Sequence, residues 1–210
     1  MHLTLISDTH GFHKSLKLKG GDMLIHAGDV SKRGEEYEIL AFLDWFGRQD
    51  YTHKIFIAGN HDFFFEECRE EDIMDLIPSG VTYLNDSGVE IEGLKIWGSP
   101  ITPTFFNWAF NRDRGQDIAA HWKKIPKDTD ILVTHGPPFG ILDCTIQQMR
   151  VGCEDLLETV EKIKPKLHVF GHIHEDFGLK EKGKTTYVNA SMVDLNYRIR
   201  EEAPIELTIK

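Results

Sequence analysis

Five short apolar runs in this chain stop at the same kind of residue, and that repetition constrains the fold more than any other feature. LTLIS is followed by Asp8 and His10, MLIHAG by Asp29, KIFIAG by Asn60, His61 and Asp62, DILVT by His135, and LHVFG by His172 and His174. Continuous apolar runs of this length suit strands buried on both faces. In layered α/β sheets, ligands gather outside the carboxyl ends of the strands. Five strands that each end in a carboxylate, amide or imidazole are therefore expected to converge on one edge. Glycine stands directly before the polar residue in Gly28-Asp29, Gly59-Asn60 and Gly171-His172. It permits a sharp turn and a close approach of backbone to site.

Further β-rich runs occur at Val81–Leu84, Leu94–Trp97, Thr185–Val188 and Ile205–Ile209. Helical stripes alternate with the early runs. Ile39, Phe42, Leu43 and Phe46 fall at i, i+3, i+4 and i+7, and Leu156, Leu157, Val160 and Ile163, at i, i+1, i+4 and i+7, mark a second stripe before Pro165. Glu66–Leu76 reads as one helix and Gln116–Lys124 as a weaker one. Asn85–Gly88 and Lys180–Lys184 carry turn chemistry, and hairpins are expected there. The alternation predicts an α/β fold with two sheets covered by helices. At 210 residues, one domain over 1–210 is the expectation.

The net charge of −10 disfavours long nucleic acid as a partner, although bound divalent cations would reverse the sign locally for a small phosphate ester. Three scattered cysteines argue against a disulfide framework. With no signal-peptide pattern and no long apolar span, a cytoplasmic protein without membrane contact is expected.

Asp8, His10, Asp29, Asn60, His135, His172 and His174 comprise two carboxylates, one amide and four imidazoles. One divalent cation would not use all seven, whereas two cations sharing a carboxylate would. Such a pair is a standard clamp for in-line phosphoryl displacement by a shared, deprotonated water. The donor mixture suits Mn, Fe, Zn, Ni or Co, with Mn favoured. His172 and His174 are two apart, so an extended segment would point them the same way. His61 would point away from Asn60 in an extended segment. It would then lie beside the metals as a general acid rather than a ligand.

In order, DTH (8–10), GD (28–29), GNHD (59–62), THGPP (134–138) and GHIH (171–174) resemble the blocks of the calcineurin-like metallophosphoesterase superfamily. IAGNHD, RVGCEDLLETV, PKLHVFGHIHE and TTYVNAS resemble its MPPED-type, cyclic-nucleotide phosphodiesterase-like branch. The resemblance implies a four-layer α/β/β/α sandwich. It places Asp8, His10, Asp29 and His174 on one metal and Asp29, Asn60, His135 and His172 on the other, with Asp29 bridging and His61 as acid. It also implies small phosphodiesters, cyclic nucleotides among them, as substrates. A phosphomonoesterase or nuclease of the same fold is the alternative, and a non-catalytic metal-binding module is a third reading.

One position departs from the family pattern. GDVSKRG carries Lys32 where the protein phosphatases of the superfamily have an aspartate that supports the catalytic histidine. A lysine side chain cannot accept that hydrogen bond, which leaves Asp62 or another acid to substitute. Arg33, Asn60, Trp108, Asn111 and Arg112 are candidate substrate contacts. The last three lie in the aromatic stretch 98–115, which otherwise packs on the sandwich or forms a homodimer contact.

Overall fold

Along the central strands every second residue packs into one core and the residues between them into another. The computed structural model describes residues 1–209. Leu3, Leu5, Met23, Ile25, Ile55, Ile57, Ile131, Val133, Leu167 and Val169 share one buried cluster. Ile6, Leu24, Phe56, Leu132 and Phe170 join another, together with the helical residues Ile39, Phe42, Phe46, Trp122, Leu156 and Val160. The first cluster lies between two sheets and the second on their outer faces. Burial on both sides is the reason these runs are continuously apolar rather than alternating.

The first sheet comprises β1 (His2–Ile6), β2 (Gly21–Ala27), β3 (Tyr51–Ile57), β4 (Val81–Tyr83) and, from the far end of the chain, β13 (Ile205–Thr208). Its order is β13-β1-β2-β3-β4, and only β13 runs antiparallel to its neighbour. The second contains β5 (Ser87–Ile91), β6 (Leu94–Ser99), β9 (Ile131–Thr134), β10 (Leu167–Phe170), β11 (Gly178–Lys182) and β12 (Thr185–Asn189). Its order is β11-β12-β10-β9-β6-β5, with a parallel centre and antiparallel edges. A two-strand ribbon pairs β7 (Thr102–Pro103) with β8 (Asn111–Arg112). Two mixed sheets flanked by helices make the expected α/β/β/α arrangement.

The helices are α1 (Glu36–Gly47), α2 (Phe63–Glu67), α3 (Glu70–Leu76), α4 (Gln116–Trp122) and α5 (Glu154–Ile163). In α1 the expected stripe Ile39, Phe42, Leu43 and Phe46 is buried, and a capping box of Glu35 and Glu38 starts the helix. The helix expected over Glu66–Leu76 is two helices. Cys68 and Arg69 are extended between them, and Arg69 forks onto both oxygens of Asp72 at 2.8 Å. Three acids in the first turn of α3 favour a fresh helix N-terminus at that point.

Asn85–Gly88 is not a hairpin. It carries the chain from β4 in the first sheet to β5 in the second. The hairpin lies one strand later, where Glu92 and Gly93, both at positive φ, join β5 to β6. The expected turn near Lys180–Lys184 does join β11 to β12. No helix among the described residues is long and apolar enough to cross a membrane.

Candidate metal centre

The carboxyl ends of β1, β2, β3, β9 and β10 deliver the candidate ligands to one edge of the sandwich. Backbone hydrogen bonds lace the loops that leave them: Asp8 N–H donates to Gly28 O, His10 N–H to Asp29 O, and Gly171 N–H to His135 O. Asp8, His10, Asp29 and His172 all sit at positive φ, between 42° and 68°. For residues other than glycine this costs on the order of 1–3 kcal/mol each, and such strain concentrates at functional sites.

Two glycines are fixed by what they would strike. A Cβ on Gly171 would lie 2.0 Å from Asp8 Oδ2, and one on Gly59 would lie 2.3 Å from Asp29 Oδ1. Only a bare backbone leaves room for those carboxylates.

Asp29 is central. Its Oδ1 lies 3.4 Å from His135 Nε2, and its Oδ2 lies 3.6 Å from His10 Nε2 and 3.9 Å from His61 Nε2. Three overlapping groups could each hold an ion: Asp8 with His10 and His174, Asp8 with Asp29 and His135, and Asp29 with His10 and His61. Asn60 Oδ1 adds a contact of 2.9 Å to His135 Nε2. The ring of His172 lies 5.1 Å from that of His135, centroid to centroid. All seven sequence-derived candidates are thus within one cluster, and His61 stands at its rim.

The donor set fits a cation, and the fixed tautomers show why. His135 Nδ1 lies 2.9 Å from Ala27 O, and His10 Nδ1 lies 3.2 Å from Ser31 O. A carbonyl only accepts, so each Nδ1 carries the proton and each Nε2 turns its lone pair inward. Metal-binding histidines are commonly oriented in this way. His10 Nε2 and His174 Nε2 are 3.3 Å apart, and His135 Nε2 faces two oxygens that cannot donate unless protonated or flipped. These lone pairs need a shared positive charge. With protons alone to supply it, His135 rises to about 9: burial opposes this, but the charge and hydrogen bond of Asp29 outweigh burial. His174 is raised for the same reason by Asp8. Asp8 and Asp29 would be raised by burial, yet the surrounding imidazoles hold both well below the usual carboxylate range. His172 has no such partner, and burial drives it down to about 4. Divalent cations there would take the place of the protons and supply the charge these groups lack. The residues fit a divalent metal site.

Local geometry differs from the extended segments expected around the histidines. His172 is left-handed at φ 68° and His174 opens a single 3-10 turn, so their rings diverge toward His135 and His10 respectively. Asn60 and His61 occupy a tight turn closed by Asp62 N–H to Gly59 O. His61 still leaves the ligand cluster at one side. Its ring lies 4.2 Å from that of Trp108 and edge-on to His10 at 4.7 Å.

Lys32 holds His61 after all, by its backbone. The Lys32 carbonyl accepts from His61 Nδ1 at 2.8 Å and so turns Nε2 toward the cleft. Asp62 does not substitute in this role. Its carboxylate is buried and accepts from Val30 N, Ser31 N, Ser31 Oγ and Gly59 N, at 2.6–3.1 Å. It pins the Gly28-Asp29 loop to the Gly59-Asn60 loop. Burial and the Asp29 charge push Asp62 up to about 6.

The substrate candidates divide. Asn60 and Trp108 line the cleft. Asn111 Nδ2 donates to the carbonyls of Phe105 and Phe106, and so shapes the aromatic loop from behind. Arg112 pairs with Glu66 and faces a different depression. Arg33 is exposed and does not line the cleft. Phe110 is buried, whereas Phe105 and Phe106 stand exposed beside Trp108.

Two contributors escaped sequence reasoning. Ser191 Oγ donates to Asp8 Oδ2 at 2.7 Å, and the Asn189–Ser191 end of TTYVNAS was its only trace. Tyr197, left-handed in a tight turn, lays its ring 5.1 Å from His10 and 5.9 Å from His174. Nothing local in DLNYR marks it.

The sequence matches the model of the calcineurin-like phosphoesterase family over residues 1–176. Metallophosphoesterase domain-containing protein 1 of Homo sapiens is 43% identical over 217 residues, a span of 92% of this chain but 66% of that relative. UPF0046 protein K07C11.7 of Caenorhabditis elegans is 37% identical over 213 residues, covering 95% and 72%. Among solved structures, phosphopantetheinyl hydrolase from Mycobacterium tuberculosis superposes with a TM-score of 0.63 at 16% identity, covering 93% of this chain and 90% of that one. That last likeness is one of fold. With the family match over most of its length and the ligand blocks in place, this chain belongs to the calcineurin-like phosphoesterase family.

Proposed function

We propose that the chain is a dimetal phosphoesterase that acts on small phosphodiesters, with cyclic nucleotides as the favoured class. The observation that carries this reading is the position of Asp29, whose two oxygens face His135 on one side and His10 on the other at 3.4 and 3.6 Å. Asp8, His10, Asp29 and His174 would hold one ion, and Asp29, Asn60, His135 and His172 the other. When bound, the two divalent ions (manganese favoured) supply positive charge against the phosphoryl oxygens and lower the pKa of water.

The chain's own residues do the rest. Asp29 would balance the charge of both ions. His61, fixed through Nδ1 by the Lys32 carbonyl, presents Nε2 to the cleft and delivers a proton to the leaving oxygen. Trp108 lies against that imidazole, tilted by 34°, and limits its rotation. The exposed Phe105 and Phe106 next to it offer a face to the substrate's ester group.

The test is hydrolysis of bis(p-nitrophenyl) phosphate beside p-nitrophenyl phosphate by metal-stripped protein with Mn²⁺ restored. Metal-dependent turnover that prefers the diester is expected. Preference for the monoester would replace the phosphodiesterase reading with phosphatase, and no turnover of either with metal bound would count against both. His61→Ala should keep both metals and slow esters with poor leaving groups by roughly 10²–10⁴-fold. An equal loss on an ester with a very acidic leaving group would argue against a proton-donor role.

A further inference from the structure

The cleft has two chambers. His10, His61 and Tyr197 form a wall shared by both. On one side lie the ligands, Trp108 and the exposed phenylalanines. On the other, a hollow of about 250 Å³ is completed by Phe12 and Lys32, and none of its five lining residues is a carboxylate.

The backbone of Lys32 is anchored, and its side chain rests on an aromatic ring. Its amide N–H donates to Glu38 Oε1 at 3.2 Å, the same carboxylate that caps α1. Its aliphatic stem passes over Gly11, and its ammonium sits 4.3 Å from the centre of the Phe12 ring. No ion pair among the described residues includes Lys32, although the chain has 34 acidic residues against 24 basic ones. An exposed cation–π contact is weak, so the ammonium can leave the ring for an anion at little cost. A tight turn in which Asp194 accepts from the amides of Asn196 and Arg198 holds Tyr197 as the opposite lip.

We infer that Lys32 is a specificity-determining residue that selects substrates with a second anionic group, a carboxylate or a phosphate, on the substituent entering this chamber. The inference rests on the phosphoesterase reading. Because His10, His61 and Tyr197 line both hollows, a diester held at the ligand cluster would send one substituent toward the aromatic chamber and the other toward the lysine. The chain's acidic excess repels anions in general, so a single unpaired ammonium beside the centre discriminates among them. A charge-assisted hydrogen bond at an exposed site supports a preference of roughly tenfold.

Two matched comparisons test it. The first sets p-nitrophenyl 3-carboxypropyl phosphate against p-nitrophenyl propyl phosphate, read as the ratio of kcat/KM values on Mn²⁺-loaded protein. The ratio cancels any general change in the catalytic groups. It should favour the carboxylate ester about tenfold in the wild type, fall to near one in Lys32→Met and invert in Lys32→Glu. The second is calorimetric binding of 3-phosphonopropionate against propylphosphonate, which needs no turnover. The same tenfold preference, lost in Lys32→Met, is expected. Equal binding in the wild type, or a preference that survives Lys32→Met, would overturn the role of Lys32. A binding preference without hydrolysis of either nitrophenyl ester would instead sink the phosphoesterase reading and leave the anion chamber standing.

Discussion

Asp29→Ala is expected to lose metal and nearly all turnover together. The carboxylate is 2% exposed and stands between His135, His10 and His61. Its Oδ1 also accepts from His61 N–H at 2.9 Å, so the change loosens the turn that carries Asn60 and His61. On the proposed dimetal reading one carboxylate would serve both ions, so its loss would remove affinity at both. The expected loss in kcat/KM is at least 10³-fold, on the scale of about 4 kcal/mol of transition-state stabilisation. Metal content by atomic emission and turnover should be measured on the same preparation. Retained activity, or full metal occupancy with no activity, would refute the shared-ligand role.

Acidification between pH 6.5 and 4 is expected to destabilise the fold through two histidines that bind no metal. His26 on β2 and His168 on β10 occupy matching outer-face positions, one in each sheet, and both are fully buried. The Gly28 amide donates to His26 Nδ1 at 3.2 Å, so that nitrogen is an acceptor and Nε2 donates to Thr9. Thr134 Oγ1 donates to Gly136 O and accepts from His168 Nε2 at 2.8 Å, which leaves His168 Nδ1 buried and unpartnered. A second proton on either ring would meet an N–H in one case and nothing in the other. Burial lowers both to about 3.

Because the folded pKa lies below the unfolded value of 6.5, each group contributes fully above pH 6.5. The contribution is lost as pH falls toward 3, since the unfolded chain binds the extra proton. Each contributes a slope of about 1.4 kcal/mol per pH unit within that window. His135 acts in the opposite sense in the metal-free protein. Raised to about 9, it stabilises fully below 6.5 and ceases to do so as pH rises through 9, so its pull lies in a different range. Urea unfolding of wild type, His26→Gln and His168→Gln at pH 7.5, 6 and 5 separates the terms. The wild-type curve should fall more steeply on the acid side than either variant. Parallel curves would show that these rings do not control acid stability.

Much of the fold was legible because burial on both faces leaves an unmistakable apolar run, as at Leu3–Ile6 and Leu167–Phe170. The clustering of ligands was legible because each run ended in a side chain with donor chemistry. The break at Cys68-Arg69 was hidden, since a helical stripe does not reveal an Arg69–Asp72 fork that restarts the helix. The path from β4 to β5 was hidden for a different reason. Turn residues at Asn85–Gly88 specify a reversal but not whether the next strand joins the same sheet. At the site, the orientation of His61 could not be read from side chains, because the group that fixes it is the Lys32 carbonyl and every residue has one. Tyr197 and Ser191 reach the centre through tertiary folding alone.

The link from Asp8 to Ser191 joins residues 183 positions apart, and the bond from His172 N–H to the same carboxylate spans 164. Each contact closes a loop that includes most of the chain, and loop-closure entropy is recovered only when the intervening strands are in place. The donor set therefore has no local precursor that could capture a cation early, as a zinc-finger hairpin does. Metal acquisition must come late in folding, and affinity for the ion becomes a readout of global order. In turn, an ion that binds only the assembled state adds RT ln(1 + [L]/Kd) to the stability of the whole sandwich rather than of one loop. Cellular metal supply would then govern this protein's lifetime as well as its chemistry.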